Sequence, residues 1–170
     1  MKKIFNTPLT MLLCMAMATA FTACEPEEVK IDKEKVLAFV CDVKIIEEGS
    51  TYTSSKLDEE YADMGMTRFA PGISLAGDTD GKVTVTVKSL NQAMVEVCTF
   101  GGCQMTLAHL NYTTNTSGEI TANTPIPLDI YYSPREEGTH RAEALVTAYY
   151  EGEEEKTVSF TLVMTNAKVE

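Results

Sequence analysis

The chain has 170 residues, 44% of them apolar, and 25 acids against 14 Lys and Arg give it a formal charge of −11. It is too apolar for a disordered chain and too acidic to be an electrostatic partner of DNA, RNA or an anionic lipid surface. With no Trp and two His, aromatic cages and histidine metal sites have little material, and the length suits one domain.

Residues 1–23 have the layout of an export signal. Lys2 and Lys3 are followed by an apolar stretch over 9–20, shorter than the roughly 18 residues that cross a bilayer. Its removal takes Lys2 and Lys3 with it and moves the charge from −11 to −13. The stretch ends in Phe21-Thr22-Ala23-Cys24, which resembles the lipobox of Gram-negative bacterial lipoproteins, with Phe21 where Leu is usual. The resemblance implies that Cys24 becomes an acylated N-terminus and that its lipid chains hold the protein in the outer membrane. At about 0.8 kcal/mol per buried methylene, several chains make such anchoring permanent. The alternative is ordinary cleavage after Ala20 or Ala23, which leaves a soluble protein. Glu25, Glu27 and Glu28 resemble the acidic tag that carries some lipoproteins to the cell surface, and equally suit a solvated spacer. The division is therefore a signal over 1–23, an acidic tether over 24–35 and a folded domain over 36–170.

Within that domain, strands are predicted over 36–46, 52–55, 64–69 and 73–76, with a weak helical pattern over 56–64. Val83, Val85 and Val87 alternate with Thr84 and Thr86, which marks a strand with one buried and one wet face. Further strands are predicted over 93–98, 104–110 and 125–132. Ala142, Ala144, Val146 and Ala148 alternate with polar residues, as do Val158, Phe160, Leu162 and Met164; the two runs flank a polar turn at Gly152 and predict a hairpin. Many short strands without crossover helices predict an all-β fold, an antiparallel β-sandwich.

The runs Val83-Thr-Val-Thr-Val-Lys-Ser-Leu-Asn91, Pro127-Leu-Asp-Ile-Tyr-Tyr-Ser-Pro134, Gly138 and Ala142-Glu-Ala-Leu-Val146 resemble immunoglobulin-like domains of the Hydin and major-sperm-protein type. The final hairpin is also similar to immunoglobulin-like modules of glycan-degrading lipoproteins. The first resemblance implies an immunoglobulin-like sandwich and leaves function open.

In an exported chain, Cys98-Thr99-Phe100-Gly101-Gly102-Cys103 places two thiols across a four-residue turn, which favours a Cys98–Cys103 disulfide. A redox pair would want CxxC beside a helix, and a thiolate metal site would want four ligands. Cys41 lies on an apolar run and reads as a buried thiol. Asp78-Thr79-Asp80-Gly81 begins like a calcium loop but lacks its later oxygens, so it reads as a turn. His109 and His140 have no nucleophile or zinc motif around them. Glu136, Glu137, Glu153, Glu154 and Glu155 fall in turns, where they are mutually repelling and untuned for acid–base work. No catalytic residue, metal or cofactor is assigned.

Tyr131-Tyr132 and Tyr149-Tyr150 must each send one ring inward and one outward. Outward Tyr131 and Tyr149, with Phe100 at the bridged turn, form the candidate binding surface, against the plainer reading of cross-strand packing. Two functions stay in play. The first is a lipid-anchored, non-catalytic binding, adhesion or envelope-assembly module with an unknown protein or glycan partner. The second is a glycan-active hydrolase or carbohydrate-binding accessory protein.

Overall fold

The computed structural model describes residues 36–167; the signal segment, Cys24, the tether and residues 168–170 lie outside the described residues. Strands β1 (Leu37–Cys41), β2 (Lys44–Ile46), β4 (Ile73–Gly77), β6 (Val95–Thr99), β7 (Gly102–Met105) and β9 (Ile126–Tyr132) form a six-stranded sheet in the order β2-β1-β4-β9-β6-β7. The second sheet holds β3 (Thr51–Ser54), β5 (Gly81–Ser89), β8 (Thr113–Ile120), β10 (Arg141–Tyr150) and β11 (Val158–Thr165) in the order β3-β11-β10-β5-β8. β3 runs parallel to β11 and the other recorded pairs are antiparallel. The architecture is the β-sandwich that the alternation predicts, of the immunoglobulin-like kind that the resemblance implies.

Period-2 burial builds the core between the sheets. Leu37, Phe39, Cys41, Leu128 and Ile130 face Val83, Val85, Val87, Val146, Phe160 and Leu162, all with little or no exposure. The Phe39 and Phe160 rings meet at 4.8 Å between centroids. Each fully buried aliphatic or aromatic side chain contributes roughly 1.5–3 kcal/mol, so these alternating runs determine which face of each strand turns inward.

The registers define two poles. At the proximal pole, where the chain enters the domain, Val36 N–H donates to Asp78 Oδ1 (2.8 Å), Ala122 N–H to Asp80 Oδ1 (2.7 Å) and the Tyr150 hydroxyl to the Thr79 carbonyl (2.8 Å). At the distal pole, Leu90 N–H donates to the Glu143 carbonyl (2.7 Å) and His140 N–H to Asn166 Oδ1 (2.8 Å).

Five elements depart from the sequence prediction. The run 36–46 is two strands, because the chain reverses at Asp42 (φ 46°) and Val43 (φ 63°). The stretch 104–110 ends as a strand at Met105 and closes in a 3-10 turn at Ala108–Leu110. Of 64–69, only Phe69 pairs, bridging Leu57 and Tyr132. β8 is an additional strand: Thr, Asn, Ser and Gly fill it, so it carries no apolar alternation. The weak helical signal shortens to α1 (Glu59–Asp63), whose N-terminus is capped by Asp58 accepting from Glu60 N–H (3.1 Å) and Tyr61 N–H (3.4 Å).

Candidate binding surface

Cys98 and Cys103 are direct cross-strand partners on β6 and β7 and are joined by a disulfide, while Cys41 is free and buried. The turn between them has two central residues, Phe100 (φ 50°) and Gly101 (φ 78°), the left-handed pair that suits a tight hairpin. Phe100, a candidate for the binding surface, does not stand free at the tip. Its ring folds back over the hairpin, is half-buried against the core and covers Gly118 on β8. Gly118 lacks a Cβ, which opens a seat that a half-exposed phenyl ring fills at a gain in buried apolar area.

Tyr131 and Tyr149 point outward as alternation requires; their neighbours Tyr132 and Tyr150 turn inward, Tyr132 stacking on Phe69 at 5.8 Å. They nevertheless lie on the outer faces of different sheets, so the three aromatic residues do not form one surface. Alternation fixes the side of a sheet and says nothing about which sheet a strand joins.

Tyr131 is itself occupied. The Arg68 guanidinium sits 3.7 Å from its ring centroid and 4.4 Å from that of Tyr61. Arg68 Nη2 donates to Glu96 Oε2 (2.8 Å), and Nε lies 3.9 Å from Asp58 Oδ2. A cation between two tyrosines contributes about 0.5–2 kcal/mol per ring as it is desolvated, and the Arg68 side chain is only 12% exposed. The cluster fastens the segment 56–70, which carries α1, to the outer face of the six-stranded sheet. Sequence reading missed it because Glu96 and Tyr131 are far along the chain from Tyr61 and Arg68; only the run of acids before Tyr61 hinted at a helix start.

Two depressions flank this clamp. One of about 390 Å³ is lined by Tyr61, Met66, Pro134, Arg135, His140 and Asn166; the other, of about 370 Å³, by Lys56, Asp58, Glu60, Gly72, Asp129 and Tyr131. In the second, burial pushes the Asp129 carboxyl above its ordinary pKa against the opposing pull of Arg68, and burial raises Tyr131 as well. Asp58 and Glu96 are both committed to Arg68, which leaves Asp129 as the tuned carboxyl here.

Exposed apolar side chains are distributed unevenly between the poles. Val43, Leu57, Met64, Met66, Leu90, Met105 and Leu110 all sit at the distal pole, with Val36 at the proximal pole and Ile45 on the β2 edge. The charge is polarised the other way. Among the described residues, Glu47, Glu48, Asp78, Asp80, Glu119, Glu151, Glu153, Glu154 and Glu155 at the proximal pole are offset by Lys82 and Lys156 alone, whereas the equally numerous distal acids sit among Lys44, Lys56, Arg68, Lys88, Arg135 and Arg141.

Other candidate groups have local structural roles. Asp78 and Asp80 accept the backbone bonds that close the proximal pole. Glu96, Cys98 and Cys103 bring a carboxylate and two sulfurs within 4.8 Å, but the bridge consumes both thiolates. Cys41 Sγ lies 3.0 Å from the Tyr52 hydroxyl, whose pKa is pushed up to about 12 by burial and then by this contact. His109 is exposed on the 3-10 turn.

No protein-family profile matches the sequence, and no curated protein matches it. Among solved structures, the N-terminal domain of PorA superposes with a TM-score of 0.53 at 13% identity, covering 76% of this chain and 96% of that one. A PapD-like domain of human CEP192 aligns at a TM-score of 0.40 and 13% identity, over 79% of this chain and 87% of that one. At such identity the first likeness speaks to the fold alone, which is the two-sheet β domain described above.

Proposed function

We propose that this protein is an exported lipoprotein, acylated at Cys24, whose domain is a non-catalytic binding or assembly module in the cell envelope that engages a protein partner through its distal pole. The observation that carries the reading is the polarity of the domain: exposed apolar side chains gather away from where the chain enters, and the net negative charge is greater beside it because most basic side chains are distal. Eleven residues, 25–35, separate Cys24 from Val36, a reach of at most about 40 Å. An acidic proximal pole on such a tether is repelled by anionic lipid, which favours presentation of the opposite pole. Apolar side chains held in loops at the end of a rigid sandwich are the usual contact chemistry of such domains. Val43 supports the same reading: a β-branched residue at φ 63° and 98% exposed is unfavourable for both turn and solvent, and such violations concentrate where function holds them.

The test has two parts. Cys24→Ala should move the protein from the membrane fraction to the soluble one, and retention without lipid would defeat the anchoring. A photo-cross-linking residue placed at Met66 should give a discrete adduct in intact cells that one at Glu154 does not. Adducts confined to position 154 would defeat the distal-pole reading.

A further inference from the structure

Strand β8 differs from the other three sheet edges. β2 has three residues and carries Lys44, while β3 and β7 have four each. β8 has eight, Thr113–Ile120, with no Pro and no Lys. Edges of that length are normally blunted by charge, proline or brevity, since their unpaired backbone groups template another strand. The adjacent β7 belongs to the other sheet, and a groove of about 230 Å³ lies between its Gln104 and the Asn115–Thr116–Ser117 stretch.

The ladder to β5 shows which groups are unpaired. Ser89 N–H donates to the Tyr112 carbonyl (2.9 Å), and strict alternation then makes Val87/Thr114 and Val85/Thr116 hydrogen-bonded pairs. The backbone N–H and C=O groups of Thr113, Asn115 and Ser117 therefore point to the open edge. On the inward face of the same stretch, Thr114 is 3% exposed, and its Oγ1 and that of Thr116 are buried with no hydrogen-bond partner. Beyond Ser117 the Phe100 ring covers Gly118, so the accessible edge is centred on Asn115.

We propose that β8 pairs antiparallel with β8 of a second copy about a two-fold axis at Asn115, joining the five-stranded sheets into one ten-stranded sheet. Three observations select this occupant. The two-fold sets Thr113 opposite Ser117 of the second copy, which matches the edge-directed groups of one strand to those of the other. It also sets Thr114 opposite Thr116 of the second copy, and Thr116 opposite its Thr114, so a χ1 turn toward the edge gives each of these inward-facing, unpartnered hydroxyls a cross-strand partner. Residues 113–117 are uncharged, so no like charges meet across the ladder despite the acidity of the chain.

The purified full chain should sediment as a concentration-dependent dimer. Ser117→Pro removes an edge-directed N–H while leaving the β5 ladder intact, and should weaken the dimer at least about tenfold. Asn115→Lys, which places two ammonium groups on the axis, should do the same, at the cost within the fold of the exposed bond from the Thr86 hydroxyl to Asn115 Oδ1 (2.7 Å). In intact cells Asn115→Cys should give a disulfide-linked dimer, since partners in a hydrogen-bonded pair lie about 5.5 Å apart, whereas Glu119→Cys should not. A monomer at every concentration, a dimer indifferent to Asn115→Lys, or cross-linking at 119 in place of 115 would each overturn the proposal.

Discussion

Replacing Gly118 with Ala isolates the contact that seats the disulfide-bridged hairpin. An added Cβ at 118 would lie 2.8 Å from Phe100 Cβ, and closer still to its ring. Rotating the ring about χ1 removes the ring clash and leaves the Cβ clash, so the turn backbone must move. That turn is a two-residue hairpin tied at its base by Cys98–Cys103, which makes a local shift costly. Overpacking of this kind costs about 1–3 kcal/mol, while Gly to Ala inside a strand returns about 0.5–1 kcal/mol. The clash wins, with a net loss of about 1–2 kcal/mol and a fall in Tm on the order of 4–8 °C for a domain of this size. Urea unfolding of Gly118→Ala, Phe100→Ala and the double variant closes a thermodynamic cycle. The double variant should be less destabilised than the sum of the singles by about 1 kcal/mol or more, because removing the ring removes the clash. Strict additivity, or a Gly118→Ala variant within about 0.5 kcal/mol of the parent, would refute the packing of Phe100 on β8.

Three other outcomes are expected. Because the folded Asp129 carboxyl titrates above its unfolded value, the native state binds more protons; stability is highest below the unfolded pKa and falls as pH rises through the folded one. Asp129→Asn should therefore raise Tm at pH 7, with the advantage gone near pH 3, as read by calorimetry across that range. Arg68→Ala should cost about 1–3 kcal/mol by stranding Glu96 and unstacking Tyr61 and Tyr131, and limited proteolysis should then cut within 56–70 first. Val43→Asn, which tolerates positive φ, should stabilise the β1–β2 turn by about 1 kcal/mol in urea unfolding, and an unchanged midpoint would dismiss the strain at that turn.

The strands legible in the sequence are those whose alternation is strong enough to specify burial. Val83, Val85 and Val87, and the pair of runs from Ala142 and Val158, put their apolar sets in the core in the predicted phase and pair in the predicted hairpin. β8 was illegible for the same reason inverted: Thr114, Thr116 and Gly118 face inward without being apolar, because an edge strand covered by Phe100 and open to a groove has no need of Val or Leu there. The break at Asp42-Val43 was hidden because Val43 has the chemistry of a strand interior, and turn composition gives no warning of a β-branched residue in the left-handed region. The Cys98–Cys103 hairpin was legible in its pairing because five residues of separation leave few geometries, while the seating of Phe100 depended on a partner eighteen positions away.

The candidate surface shows how far a period-2 argument reaches. It puts Tyr131 and Tyr149 outside and Tyr132 and Tyr150 inside, and the structure agrees. What it lacks is the identity of the strand on either side, since β9 and β10 follow one another in the chain yet belong to opposite sheets. The same gap hid the Arg68 clamp: its parts come from the β3–β4 connection, β6 and β9, and only the order β4-β9-β6 brings them together. The polarity of the domain is a property of this topology too. Exposed Leu90, Leu110, Met64 and Val43 are unremarkable one at a time in four separate loops, and surface apolar residues scattered singly need no explanation. They become a feature because antiparallel strands deliver those four loops to one pole, while the strands' other ends deliver acids with few bases beside them to the pole where the domain begins.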